Sequence, residues 1–156
     1  MFKNKLCYLS CVFIILFYTS ISSKILAEEY VVESTGRDTV SESITTSKGD
    51  TKVIRKIEGT WTDNLGDYGV AECIGTIDSN NNKVFLDLLC ENTNQDKEKS
   101  WSLVYRKYTS EDSAIGVVEY IDASQKYKYL IGKKCNYAIK FYEKKVFFFK
   151  QKCLLN

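Results

Sequence analysis

Four cysteines lie beyond the first 27 residues, and their spacing favours disulfide chemistry over metal or redox chemistry. A structural zinc site and a dithiol redox centre both use close Cys-x-x-Cys pairs, and no such pair occurs here. An even number of cysteines in an exported chain is typical of a disulfide framework. Three connectivities are possible for these residues, which are Cys73, Cys90, Cys135 and Cys153.

Acid–base chemistry has few candidates, because the sequence contains no histidine. This absence excludes nucleophiles activated by histidine and metal sites built on histidine. Two carboxylate pairs remain as nominal acid–base groups, Asp63 with Asp67 and Glu72 with Glu91. Asp63 and Asp67 fall in a turn-rich segment, where aspartate commonly bonds to the backbone. We therefore assign no catalytic residue, metal or cofactor, and favour a protein that is not an enzyme.

Aromatic residues are the candidates for binding a small apolar ligand. A barrel of about eight strands is just wide enough either to be filled by side chains or to hold one small ligand. Ordinary core packing is therefore the alternative role for the same residues. The candidates are Trp61, Trp101, Tyr105, Tyr137 and Phe149.

A second candidate surface consists of Lys140, Lys150 and Lys152, which suit an anionic envelope surface. Residues 123–156 carry nine lysines and one acidic residue, whereas residues 28–122 carry ten basic and nineteen acidic residues. Such separation marks either an anionic partner or two adjacent surfaces that neutralise each other. Nucleic acid is not expected as a partner of an exported protein.

Two predicted hairpins position these residues. Residues 135–153 form two aromatic-rich runs around a polar triplet. A three-residue loop there places Cys135 opposite Cys153, with the apolar side chains on one face and the three lysines on the other. Residues 70–77 and 83–91 flank an Asn-rich turn, and a two-residue loop places Cys73 opposite Cys90. The predicted disulfides are therefore Cys73–Cys90 and Cys135–Cys153.

The beginning of the chain resembles an export signal. Residues 1–5 are basic, residues 6–21 are largely apolar, and small residues follow. We predict a signal helix that is cleaved after Ala27, or alternatively after Ser22. The apolar run is short for a membrane span, so a retained anchor is the alternative and no stable span is expected after cleavage. Residues 28–50 are polar and read as a flexible lead-in, which leaves 51–156 as one β domain.

Residues 120–132 are similar to the G-T-G-K-Y-x-x-L-x-G segment of allene-oxide-cyclase-like and dirigent-like barrels. The matching residues are Lys126, Tyr127, Leu130 and Gly132, while Ala-Ser-Gln replaces the Gly-Thr-Gly. The triplet 59–61, Gly-Thr-Trp, resembles the G-x-W of lipocalins. These resemblances imply a small antiparallel barrel and bring no catalytic residue with them.

Apolar residues alternate in most segments and nowhere repeat with sustained helical spacing after the signal. We therefore predict an all-β fold, with seven or eight antiparallel strands in meander order as a closed or nearly closed barrel. The predicted function is that of a periplasmic or secreted, non-enzymatic domain that binds a small apolar ligand or an envelope component. The alternatives are a cyclase- or isomerase-like enzyme with a carboxylate in its pocket, and a structural envelope protein with a filled core. The sequence leaves the oligomeric state open.

Overall fold

Eight antiparallel strands form a closed barrel, as the alternating pattern predicts. The computed structural model describes residues 28–80, 83–110, 115–142 and 146–155. Neighbouring strands pair in chain order, and the first strand pairs with the last. The strands are β1 (Glu29–Thr45), β2 (Thr51–Asp63), β3 (Tyr68–Asn80), β4 (Lys83–Asn94), β5 (Lys99–Ser110), β6 (Ile115–Ala123), β7 (Lys134–Tyr142) and β8 (Val146–Leu154).

Both predicted hairpin registers are confirmed. Cys73 pairs with Cys90 across β3 and β4, and their Cα atoms are 4.0 Å apart. Cys135 and Cys153 form the second disulfide between β7 and β8, with Cα atoms 4.3 Å apart. Because each bridge joins directly opposed residues of one hairpin, the disulfides fix the register of local strand pairs.

The prediction that residues 28–50 form a flexible lead-in is wrong. The segment contains β1, which pairs with β2 from Val32 to Thr45 and with β8 from Glu29 to Arg37. Hydrogen bonding to two neighbouring strands stabilises a segment whose composition is poor for a strand, since strand propensity depends strongly on context. The barrel therefore begins at Glu29. The predicted signal peptide, residues 1–27, lies outside the described residues.

One end of the barrel is closed by a 3₁₀ helix, Gln125–Leu130, which lies between β6 and β7. The side chain of Leu130 is fully buried, and Tyr127 is buried beside it. They pack with the inward residues at that end of the strands, among them Tyr30 and Trp61. The last residues of β1, β3, β5 and β7 and the first residues of β2, β4, β6 and β8 lie at the opposite end, which we call the mouth.

Candidate ligand-binding site

A cavity of about 130 Å³ lies inside the barrel, and every strand contributes to its wall. Alternate side chains of a strand point to opposite faces, so each strand supplies every second residue to the interior. The wall is mainly apolar, with Ile57 and Leu88 on one side and Val104 and Val118 on another. The interior is therefore not fully occupied by side chains.

Three of the five predicted aromatic residues line this cavity. Trp61 lies towards the closed end, where its Nε1 donates a hydrogen bond to the carbonyl of Val70 at 3.0 Å. Tyr137 and Phe149 lie on neighbouring strands, and their rings stack with centroids 4.9 Å apart. Stacked rings of this kind form a rigid apolar wall.

The other two aromatic candidates, Trp101 and Tyr105, do not line the cavity. They lie on the outer face of β5, where Trp101 Nε1 donates to Glu91 Oε2 at 3.0 Å and Tyr105 donates to Glu119 at 3.3 Å. The prediction that Trp101 and Tyr105 line a binding cavity is therefore wrong. The physical reason is the composition of β5. Its more apolar face, which carries Trp101, Leu103 and Tyr105, is the one that lies on the outside of the barrel.

The inward face of β5 carries small and polar side chains instead. Ser100, Ser102 and Val104 line the cavity from this strand. Alternation shows that the two faces of a strand differ, but it does not show which of them points inward.

Gly116 has no side chain, and the ring of Tyr137 packs closely against its backbone inside the barrel. A Cβ atom at Gly116 would lie 2.4 Å from the ring of Tyr137, which therefore lies across the backbone of β6. Burial raises the pKa of the Tyr137 hydroxyl above its ordinary value, although the positive charge of Arg106 opposes this shift. The hydroxyl stays protonated near neutral pH.

The floor of the cavity carries neutral hydroxyl groups. Tyr30 and Tyr120 line it, and Gln151 Nε2 donates a hydrogen bond to the Tyr120 hydroxyl. Burial raises the pKa of both tyrosines far above the ordinary value. The floor is therefore polar and uncharged.

The nominal acid–base pair Asp63 and Asp67 holds the closed end together. Asp63 Oδ1 accepts the backbone N–H groups of Leu65 and Asp67, both at 2.9 Å. This is the backbone-bonding role expected of aspartate in a turn. Neither carboxylate lines the cavity.

Asp67 ties the 3₁₀ helix to two loops. Its carboxylate accepts hydrogen bonds from Tyr127 at 2.7 Å, from Gln95 at 2.7 Å and from Lys126 at 2.8 Å. Burial alone would raise the pKa of Asp67, but these three donors outweigh it and hold the pKa below its ordinary value. The carboxylate is therefore an ionised anchor for the helix.

The pair Glu72 and Glu91 lies on the outer face of the barrel. These residues are opposite each other on β3 and β4. Lys56 lies 3.4 Å from Glu72, and Lys99 lies 2.6 Å from Glu91. The hydrogen bond from Lys99 holds the pKa of Glu91 below its ordinary value. The pair thus belongs to the solvated surface.

The structure contains an ion pair near the mouth that was not predicted from the sequence. Arg55 Nη1 lies 2.6 Å from Asp38 Oδ2, and both residues line the cavity. The available signal was an arginine on the otherwise apolar face of β2, between Val53 and Ile57. Nothing in the sequence indicates that Asp38 faces the interior, because Asp38 belongs to residues 28–50, whose composition predicts a flexible lead-in.

The three predicted surface lysines lie on the outer face of β7 and β8, as expected. Lys150 pairs with Glu33 at 2.6 Å, and Lys152 pairs with Glu29 at 3.2 Å. The hydrogen bond from Lys150 lowers the pKa of Glu33. Two of the three lysines therefore form ion pairs with carboxylates of the adjacent strand β1. Lys140 makes no ion pair with any residue in the described part of the chain.

Within the described ranges, no three cysteine, aspartate or glutamate side chains converge as a metal site would require. The same ranges contain no helix with the length and apolar character needed to cross a membrane.

Comparisons with known proteins support the fold alone. No protein-family model matches the chain, and no curated protein matches it. The structure is similar to the crystal structure of a conserved protein of unknown function from Rhodopseudomonas palustris, with a TM-score of 0.58. The two sequences are 9% identical, and the alignment covers 81% of this chain and 95% of that chain. At this identity the similarity shows a shared barrel.

Proposed function

We propose that this protein is an exported, non-enzymatic binding protein that holds a small apolar ligand inside its barrel. The observation that carries the proposal is the cavity of about 130 Å³ with its mainly apolar wall. An engineered apolar cavity of about 150 Å³ is known to accept benzene. A ligand of this protein would therefore have an apolar part of about one aromatic ring or a short alkyl chain.

Export is supported by the two disulfides and by the apolar run near the start of the chain. Structural disulfides persist mainly in oxidising compartments such as the periplasm or the extracellular space. Both bridges are complete within the barrel. Residues 6–21 have the apolar character of a signal segment.

Binding explains the interior better than catalysis does. Among the residues that the structure describes, Asp38 is the carboxylate that lines the cavity, and Arg55 holds it in an ion pair. Burial keeps the floor hydroxyls protonated, since the pKa of Tyr120 is far above its ordinary value. A cyclase- or isomerase-like mechanism would need an acid or base free to exchange protons with its substrate.

The test uses Trp61 as a reporter inside the cavity. In a Trp101→Phe variant, the outer-face tryptophan is removed and Trp61 supplies the emission. Titration with toluene should change this emission saturably. Absence of any saturable change with toluene, together with unchanged NMR amide shifts, would refute ligand binding in the barrel.

A matched pair of variants locates the binding. Val104→Phe places a larger side chain in the cavity and should abolish the response to toluene, whereas Leu103→Phe on the outer face of the same strand should keep it. Overpacking can cost about 1–3 kcal/mol of stability. Thermal unfolding should therefore accompany both titrations, to show that the variants are folded.

A further inference from the structure

The two ends of the cavity differ in chemistry. The inward residues of β2 run from Trp61 at the closed end through Gly59 and Ile57 to Arg55 towards the mouth. Six strand positions span about 20 Å. A ligand that extends along this strand therefore contacts neutral and apolar groups at its inner end and a guanidinium group at its outer end.

Arg55 has bonding capacity beyond its ion pair with Asp38. Its Nη1 lies 2.6 Å from Asp38 Oδ2, while its Nε is buried and has no hydrogen-bond partner among the described residues. A guanidinium carries five N–H donors arranged to hold a carboxylate through two parallel bonds. An anionic oxygen inside the cavity would satisfy a donor that is otherwise buried and unmet.

Asp38 is placed to act as an internal stand-in for a ligand head group. The side chains of Arg55 and Asp38 are 26% and 27% exposed, so both reach the water at the mouth. A β-bulge follows Asp38 in β1, where the register with β2 shifts before Val40. The carboxylate can therefore turn outward without leaving a charge in an apolar environment.

We propose that the ligand is an amphipathic anion, with an apolar part of ring or short-alkyl size and a carboxylate or similar monoanionic head. The head binds Arg55 in place of Asp38, and the apolar part extends inward from there past Ile57 in the direction of Trp61. This inference rests on the proposed function, since it assigns the ligand class of the same cavity. A cationic head would meet the guanidinium unfavourably, and a neutral head would leave the Arg55–Asp38 pair unchanged.

The test compares hexanoate with 1-hexanol, which share an alkyl tail and differ in the head group. Binding is measured by calorimetry and by Trp61 emission in the Trp101→Phe background. Hexanoate should bind about tenfold more tightly than 1-hexanol, because charge-assisted hydrogen bonds are the stronger class. Arg55→Gln should remove this difference and leave the affinity for 1-hexanol unchanged.

Asp38→Asn provides the decisive second variant. It removes the internal competitor for Arg55, so the affinity for hexanoate should rise about tenfold while that for 1-hexanol stays constant. The matched control is Arg37→Gln, which removes an exposed arginine one position away on the outer face of β1. This control should change neither affinity.

The outcomes separate the two proposals. If neither toluene, 1-hexanol nor hexanoate binds, the proposed function fails and the ligand class fails with it. If 1-hexanol binds as well as hexanoate, or if Asp38→Asn leaves hexanoate binding unchanged, the anionic head is refuted and the apolar cavity site stands. The Asp38→Asn arm decides the matter even if Arg55→Gln does not fold.

Discussion

The Tyr127 hydroxyl donates a 2.7 Å hydrogen bond to Asp67 Oδ2 and so joins the 3₁₀ helix to the loop between β2 and β3. The same hydroxyl accepts a hydrogen bond from Asn94 Nδ2 at 2.9 Å. Both partners are buried polar residues at the closed end of the barrel. This contact lies at the closed end of the cavity, and we expect its loss to lower the stability of the barrel.

Removal of the Tyr127 hydroxyl should destabilise the protein. Tyr127→Phe leaves the ring in place but deprives Asp67 and Asn94 of a buried partner, which should cost about 1–3 kcal/mol. Urea unfolding with the disulfides intact measures the loss. Tyr129→Phe is the control, because this neighbouring tyrosine is 41% exposed; we expect a change within about 0.5 kcal/mol. Equal losses for the two variants would contradict the role of the contact.

Asp67 should make the free energy of unfolding depend on pH in the acidic range. Its pKa is depressed in the folded state, so its contribution is present above the unfolded value of about 3.9 and disappears as the pH falls through the folded pKa. The stability difference between the wild type and Asp67→Asn should therefore shrink as the pH decreases below about 4. Urea unfolding of both proteins across this range tests the expectation, and a constant difference would refute it.

The two disulfides should differ in their contribution. Their sequence separations of 17 and 18 residues are nearly equal, and the loop-entropy model assigns about 3 kcal/mol to each. Cys135 and Cys153, however, are also part of the buried core cluster. Replacement of that pair by serine should therefore cost more than replacement of Cys73 and Cys90. Urea unfolding compares the variants, and peptide mapping without reduction verifies the pairing in the parent.

Gly116→Ala should destabilise the barrel by about 1–3 kcal/mol, because the new methyl group would overlap the ring of Tyr137. A second change, Tyr137→Leu, removes the ring and should make the Gly116→Ala substitution much less costly. A double-mutant cycle measures this coupling. Additive losses would show that the ring and the glycine do not constrain each other.

The surface lysines should bind anionic membranes weakly, since Glu33 and Glu29 neutralise Lys150 and Lys152. We expect little retention on phosphatidylglycerol vesicles at about 0.15 M salt. The double variant Glu29→Gln with Glu33→Gln should increase retention, and Glu72→Gln on another strand should not. Strong retention of the wild type would contradict this expectation and support an anionic envelope surface as the partner.

Local sequence was sufficient for the hairpins. Each disulfide register follows from the length of one turn and the alternation of side chains on the two adjoining strands, which are properties of fewer than twenty residues. The same reasoning puts Phe149 and Lys150 on opposite faces of one strand, as the structure has them.

Long-range pairing decided what local patterns could not. β1 is a strand because β2 and β8 form hydrogen bonds with its two edges. The β1–β8 ladder joins residues that are far apart in sequence, such as Glu33 and Lys150. The inward orientation of Ser102 in place of Trp101 depends on closure of the whole barrel. The cavity depends on how side chains from eight strands fill a shared volume, and the Arg55–Asp38 pair requires the β1–β2 ladder. The sequence alone therefore determined the barrel and its disulfides, whereas tertiary closure determined the site, because the site consists of side chains brought together from strands distant in the chain.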